Sequence, residues 1–158
     1  MLDAVTDALI GALNAAGINA ATGYPDERAD RSAAAVYVSP GDGELSSSGC
    51  GEYLGTGMVD GEETELYGCR AEMEIRLDVY AETAAQCAEL CTQLCGALDK
   101  LPAGLKMRGF SCGGPESCRI TGGYTRRCVL KCFAFLTRTA DQETGEFTDF
   151  VLRGAMKT

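Results

Sequence analysis

The sequence predicts an α+β fold, in which a mostly antiparallel sheet carries two helices on one face. Residues 69–80 alternate almost without fault between apolar and mostly charged side chains. Since strand side chains point to opposite faces in turn, this segment is predicted to be a strand with one buried and one charged face. An apolar repeat of helical spacing follows in Ala84–Leu98, and a second long alternation follows in Tyr124–Thr139. Helices kept apart from strands in this way are typical of the α+β class.

The elements before the central strand are predicted from local signals. Apolar residues recur every three or four positions at the N-terminus, and Gly17 is expected to end that first helix. Residues 18–24 are expected to form a short extended segment, and residues 26–32 a polar loop. Residues 34–39 predict a strand that Pro40 ends. The apolar positions of the first helix are Leu2, Val5, Leu9, Leu13 and Ala16.

The second helix follows the central strand directly. Thr83 is its predicted N-cap, because a threonine side chain can accept a hydrogen bond from the first turn of a helix. Residues 105–112 then predict a short strand, and residues 147–153 a last strand after a turn at residues 141–146. The predicted apolar face of the second helix consists of Ala84, Cys87, Leu90, Cys91, Leu94, Cys95 and Leu98.

The long strand Tyr124–Thr139 carries apolar residues on both faces. Val129, Phe133 and Phe135 alternate on one face with Arg127, Lys131 and Thr137. Such a strand is predicted to be central in the sheet or covered by a partner subunit. The helices are expected to cover its other face, which carries Cys128, Leu130, Cys132, Ala134 and Leu136.

Residues 41–68 are the most unusual stretch of what is predicted to be a single domain over residues 1–158. The stretch is rich in glycine, serine and acidic residues, and it is longer than most loops of compact domains. One interpretation is a solvated long loop. The favoured one is a mobile, hairpin-like arm that becomes ordered on a partner, because a solvating linker has little use for large apolar groups. Those groups are Leu45, Tyr53, Leu54, Met58, Val59, Leu66 and Tyr67.

The composition excludes several classes of partner. The chain has 158 residues and a net charge of −9, which argues against nucleic acid or an anionic membrane, since phosphate binding relies on lysine and arginine. No apolar run approaches the roughly 20 residues that cross a bilayer. Asp3 and Asp7 stand where a secretion signal carries basic residues, so the chain is expected in the cytosol.

The nine cysteines, with no histidine in the chain, are predicted to be free thiols that fill the core. The spacing contains no CxxC pair, so no metal and no cofactor are predicted, although a four-cysteine site assembled across the fold stays open. Cys112 and Cys118 flank a glycine-rich stretch, where a loop cystine or an exposed thiol is an alternative.

No enzyme is predicted. Glu72, Glu74 and Asp78 share one strand face and are the only tempting carboxylates, but Arg70 and Arg76 share that face. Ordinary ion pairing therefore explains the carboxylates, and no catalytic residues are assigned.

Several strings in order resemble the phage tail-terminator and minor tail protein family of phages and prophages of Gram-positive bacteria. They are GYPDERADRSAAAVYVS, the arm GEYLGTG…TELYGCRAEMEIRLDVYA, the cysteine-rich second helix, and the final FVLRGAM. The resemblance covers nearly all of the chain, but the nine cysteines depart from the family pattern. It implies an α+β sandwich that closes into a ring, commonly of about six subunits. Such a ring caps the tail tube and presents a surface to the head-completion proteins.

The resemblance implies a structural protein with no catalytic residues, found in the bacterial host cytoplasm during assembly and in the virion tail afterwards. Its expected partners are further copies of the chain, the tail tube protein and a head-completion protein. The alternative function is a bacterial ligand- or peptide-binding module, as a monomer or a dimer, with a pocket between the sheet and the helices. The predicted interface residues are Tyr53, Leu54, Met58, Tyr67, Arg127 and Lys131.

Overall fold

The computed structural model describes residues 2–23, 34–47, 52–102, 104–119 and 122–139. The described chain has two helices and one mostly antiparallel sheet, which confirms the predicted α+β class. The predicted polar loop at residues 26–32, the turn at 141–146 and the last strand at 147–153 lie outside the described residues. The elements are α1 (Leu2–Ala15), β1 (Ala20–Thr22), β2 (Ala35–Ser47), β3 (Tyr53–Val59), β4 (Glu62–Ala81), α2 (Ala84–Leu98), β5 (Lys106–Cys112), β6 (Glu116–Ser117) and β7 (Tyr124–Thr139).

The sheet order is β1-β2-β4-β7-β5, with β3 also paired to β4 and β6 to β7. Only the β1–β2 pair is parallel, and the other pairs are antiparallel. β7 lies between β4 and β5, with which it pairs along its two edges. The prediction of a central strand there is confirmed.

Both helices cover the same face of the sheet. α1 packs against β1 and β2, and α2 packs against β4 and β7. The core between them includes Leu9 and Leu13 of α1, Leu94 of α2, and Leu77 and Leu130 of the sheet. The expected covering of the Cys128 and Leu130 face is therefore confirmed.

The helix ends follow the predicted signals. Gly17 has a φ of 83°, a conformation that favours glycine, and the amide of Ile18 donates to the Leu13 carbonyl at 3.0 Å. At α2, the Thr83 side chain accepts a hydrogen bond from the amide of Gln86 at 3.2 Å, as an N-cap does. Ala84 and Cys95 are exposed, so placing them on the buried face of α2 was wrong. The buried face is narrower and consists of Cys87, Leu90, Cys91, Leu94 and Leu98.

The prediction that Pro40 ends its strand was wrong, because β2 continues to Ser47. Its pairing with β4 is irregular between Pro40 and Gly43. A bulge of this kind leaves one residue out of the hydrogen-bond ladder, so a proline, which has no amide hydrogen, is tolerated there.

Candidate functional site

The predicted arm is a continuation of the sheet. β2 and then β3 run antiparallel to the same strand, β4, so the three strands form one long, interrupted hairpin. The 20 residues of β4 would span about 66 Å at the usual rise of a strand. Of the predicted long-loop or arm segment, residues 41–47 and 53–59 belong to β2 and β3, and residues 62–68 belong to β4. Whether the arm is mobile stays a prediction.

The tip of the hairpin is a two-residue turn at Asp60 and Gly61. Their φ values are 53° and 88°, so both central residues have the positive φ of a type I′ turn. An Asp-Gly pair between two strands is a strong hairpin signal, and it would have located this turn from the sequence. Near the tip the described strands pair only with each other, since the β4–β7 ladder ends at Leu66 and Thr139.

The arm exposes large apolar side chains. Met58, near the tip, is 65% exposed, and Leu45, paired with Ala71 next to the base of the arm, is 55% exposed. Tyr53 and Tyr67 contact each other edge to face with ring centroids 5.5 Å apart. The Tyr67 hydroxyl donates to Glu65 Oε2 at 2.8 Å, and this hydrogen bond raises the pKa of Tyr67.

The base of the arm is held to the body. Arg138 Nη2 donates to Glu52 Oε2 at 2.9 Å, which joins the end of β7 to the residue before β3. At Gly68, an added Cβ would overlap the carbonyl oxygen of Leu136. A glycine is therefore needed where β4 passes from the body into the arm.

The face of the body that neither described helix covers, called the uncovered face below, is charged and internally paired. Arg70 Nη2 lies 3.1 Å from Glu72 Oε1, and Arg108 bonds the other oxygen of Glu72. Lys131 Nζ lies 2.9 Å from Glu74 Oε1 across the β4–β7 pair. Ion pairing of Glu72 and Glu74, as predicted, accounts for these two carboxylates.

Aromatic groups share this uncovered face. The Arg70 guanidinium lies 4.2 Å from the ring centroid of Phe133, and Phe133 contacts Phe135 edge to face. Near the other end of the sheet, Ala35, Tyr37 and Tyr80 form a second, smaller buried cluster. The face is therefore a mixture of paired charges and aromatic rings, of which Phe135 is exposed.

A cavity of about 680 Å³ lies where the irregularities of β2 and β5 fall at the same level of the sheet. The β2 irregularity falls beside Met73, and the β5 irregularity at Arg108 falls beside Cys132, which is itself paired with Met73. The cavity is lined by Asp42, Gly43, Glu44, Glu72, Met73, Glu74, Arg108, Lys131 and Cys132. Its carboxylates outnumber its cations, and two of them are already paired with those cations.

The structure separates the predicted interface residues into two groups. Tyr53, Leu54, Met58 and Tyr67 lie on the arm, with Leu54 half-buried. Lys131 lies on the uncovered face of β7 and pairs with Glu74, and Arg127 lies on the same strand four residues before it. Leu45 and Phe135 are also large, apolar and exposed, but they were not among the predicted interface residues. Strand alternation had already placed Phe135 on the face of Lys131.

Comparison with known proteins does not identify the chain. No protein-family model matches it, and no curated protein is significantly similar to it. Among the described residues, neither helix is long and apolar enough to cross a membrane.

Proposed function

We propose that this chain is a structural subunit of a self-assembling ring, and specifically a phage tail terminator that caps the tail tube and binds a head-completion protein. The observation that supports assembly is the arm, a two-stranded hairpin that reaches beyond the helices. The identification of the assembly as a phage tail rests on the resemblance of the sequence. Capping a tube is a mechanical role, which requires complementary surfaces and no reaction.

The arm is suited to bind a neighbouring copy. An isolated two-stranded hairpin is marginally stable in water, so a partner that covers it contributes directly to its order. Burying Leu45, Tyr53 and Met58 would contribute about 25 cal/mol for each square ångström of apolar surface removed from water. These exposed side chains are consistent with one half of an interface.

A ring also requires a second, different surface. Head-to-tail contacts close into a ring when the rotation between copies allows it, and each copy then offers two unlike surfaces. Among the described strands, β5 pairs only with β7 and leaves its other edge open to a strand of another chain. The uncovered face with Phe135 and Lys131 is a further acceptor for an arm. The net charge of −9 would repel DNA that passes through the ring.

Light scattering after size exclusion, at several protein concentrations and two salt levels, tests the proposal. We expect a mass that approaches about six subunits as the concentration rises. Tyr53→Ser should shift this assembly to higher concentration, since it removes an exposed ring from the arm.

Tyr124→Ser is the matched control, because Tyr124 is also exposed but lies at the other end of β7. A tight dimer at every concentration would contradict the ring. If both variants and the unmodified protein assemble equally, Tyr53 and the arm that carries it are not part of the interface.

The cavity favours a second candidate, a ligand-binding module. Its volume lies within the usual range of small-molecule sites, but its lining is charged where such sites are mostly apolar. A cationic ligand that raises the melting temperature in a saturable way would support this function. That rise should be lost in Glu74→Gln if the ligand occupies the cavity.

A further inference from the structure

Three cysteine sulfur atoms from three separate elements converge at one place on the covered side of the sheet. Cys91 lies on α2, Cys112 ends the edge strand β5, and Cys128 lies on β7 directly opposite Cys112. Cys91 Sγ and Cys112 Sγ are 3.0 Å apart, and Cys128 Sγ and Cys112 Sγ are 2.7 Å apart. All three sulfur atoms lie within 4.8 Å of one another.

Core packing alone does not account for this convergence. Cys87 and Cys132 are also buried, yet their thiols donate to the backbone carbonyls of Val79 and Met73. The three clustered thiols instead have one another as partners, and thiols are weak donors and weak acceptors. Cys112 is exposed, so it is not held there by burial. We propose that Cys91, Cys112 and Cys128 form a thiolate site for a soft d¹⁰ cation, either Zn²⁺ or Cu⁺.

The spacing of the sulfur atoms is close to what such a site needs. Sulfur atoms bound to one zinc ion lie about 2.3 Å from it, which places neighbouring sulfur atoms roughly 4 Å apart. The observed pairs need to open by about 1 Å on average. Cys112 sits between the other two and on an edge strand, so rotation of its side chain provides that opening. Thiolates are the ligands that select zinc and monovalent copper over harder cations.

Binding exchanges protons for the cation. Burial raises the pKa of the Cys91 thiol and of the Cys128 thiol. Each thiol that becomes a ligand releases one proton to solvent and donates a sulfur lone pair to the cation. Binding of the cation therefore weakens as the pH falls.

The arginine Arg126 and a candidate fourth ligand, Cys95, both interact with Cys91. Three thiolates around Zn²⁺ leave one net negative charge. Burial raises the pKa of Cys91, and the positive charge of the Arg126 guanidinium opposes part of that rise. Cys95 lies one helical turn after Cys91, and burial, followed by the neighbouring Cys91, raises its pKa. Cys87 is the other ionisable group of α2 that interacts with Cys91. Zinc is expected to take Cys95 or water as a fourth ligand, whereas copper binds the three cysteines alone.

The experiment is metal loading of the reduced, full-length protein without oxygen. The protein is incubated separately with Zn²⁺, with Co²⁺ as a coloured substitute for zinc, and with Cu⁺ held by a competing chelator. After desalting, we expect one ion per chain by elemental analysis, and thiolate-to-cobalt charge-transfer absorption for the cobalt form. The bound ion should raise the melting temperature, because it ties α2 to β5 and β7.

Cys112→Ser is the decisive variant, since Cys112 is exposed and its replacement leaves the core intact. We expect its metal affinity to fall by more than the roughly 10–100-fold typical of outer-shell changes. Cys69→Ser is the matched control, because Cys69 is a half-buried cysteine near the arm, and it should bind as the unmodified protein does. Cys95→Ser should weaken zinc binding if Cys95 is the fourth ligand, and it should leave Cu⁺ binding unchanged.

Two results would overturn the proposal. One is equal binding by Cys112→Ser and the unmodified protein, which would mean adventitious binding to scattered thiols. The other is reduced protein that retains no cation while air oxidation removes two hydrogen atoms and links Cys112 to Cys128. That outcome would identify the cluster as a site of disulfide formation.

Discussion

The two halves of β4 belong to one continuous strand but have different surroundings. In the body, Ile75, Leu77 and Val79 are completely buried, while their neighbours point to the charged face. In the arm, Glu62, Glu63 and Glu65 are all exposed. The difference arises because α2 covers only the body. Backbone pairing extends the strand, but a core exists only where a second layer lies against it.

This comparison predicts that the arm is the less stable half. Exposed hydrogen bonds and few buried apolar contacts are features of segments that open without global unfolding. The body should unfold cooperatively, and the arm should open first unless another chain covers it.

The largest expected effect is the difference in stability lost when a buried leucine and an exposed leucine are truncated. Leu77→Ala should lower the free energy of unfolding by about 2–5 kcal/mol, because Leu77 is fully buried in the core and its truncation leaves a cavity. Leu45→Ala, at a position 55% exposed on the distal part of β2, should change it by less than about 0.5 kcal/mol. Urea denaturation measures both. Similar losses would show that the distal part of β2 packs as tightly as the core.

The junction between the halves is tested at Gly68. Gly68→Ala should lower the free energy of unfolding by about 1–3 kcal/mol. Its Cβ would displace the Leu136 carbonyl and so disturb the pairing of β4 with β7. Gly96→Ala provides the contrast, because no atom lies near its Cβ position in α2. It should stabilise the protein by about 0.5–1 kcal/mol through helix propensity. An unchanged free energy of unfolding for Gly68→Ala would mean that β4 and β7 are not closely paired at this position.

The turn at the tip should affect the arm alone. Gly61→Ala places a Cβ at a φ of 88°, which costs about 1–2 kcal/mol. Hydrogen exchange should then speed up in residues 53–59 and 62–66 and stay unchanged in the body. Asp60→Gly keeps a residue suited to positive φ and should preserve protection of the arm. Faster exchange throughout the sheet would contradict separate opening of the two halves.

The smallest expected effect concerns the ion pair between Arg138 and Glu52. Both side chains are more than 40% exposed, so Arg138→Gln should cost only about 0.2–1 kcal/mol. The loss should shrink in high salt and should appear as faster exchange near the base of the arm. Lys131→Gln, which breaks a similar surface pair in the body, is the control and should leave exchange in the arm unaltered.

Much of the fold could be predicted from local pattern. α2 and β7 have the predicted bounds, and the alternation at residues 69–80 lies within β4. The candidate site was less predictable. Sequence position alone could not show that β2 and β3 pair with the same strand, and Pro40 obscured the continuation of β2. Ala84 and Cys95 fit an apolar stripe, but α2 is rotated so that neither meets the sheet.

The sequence by itself determined the two helices, the long strand β7 and the body part of β4, because the periods of two and 3.6 residues and the turn residues act over short distances. It also determined which face of each long strand is apolar. Only the tertiary structure decided which segments meet. Cys91, Cys112 and Cys128 come together because strand register and helix placement bring three distant segments to one point, and local spacing carries no record of either. The extent of the covered face was decided in the same way: β4 is buried at Ala71 and at every second residue up to Val79, whereas none of residues 62–67 is buried.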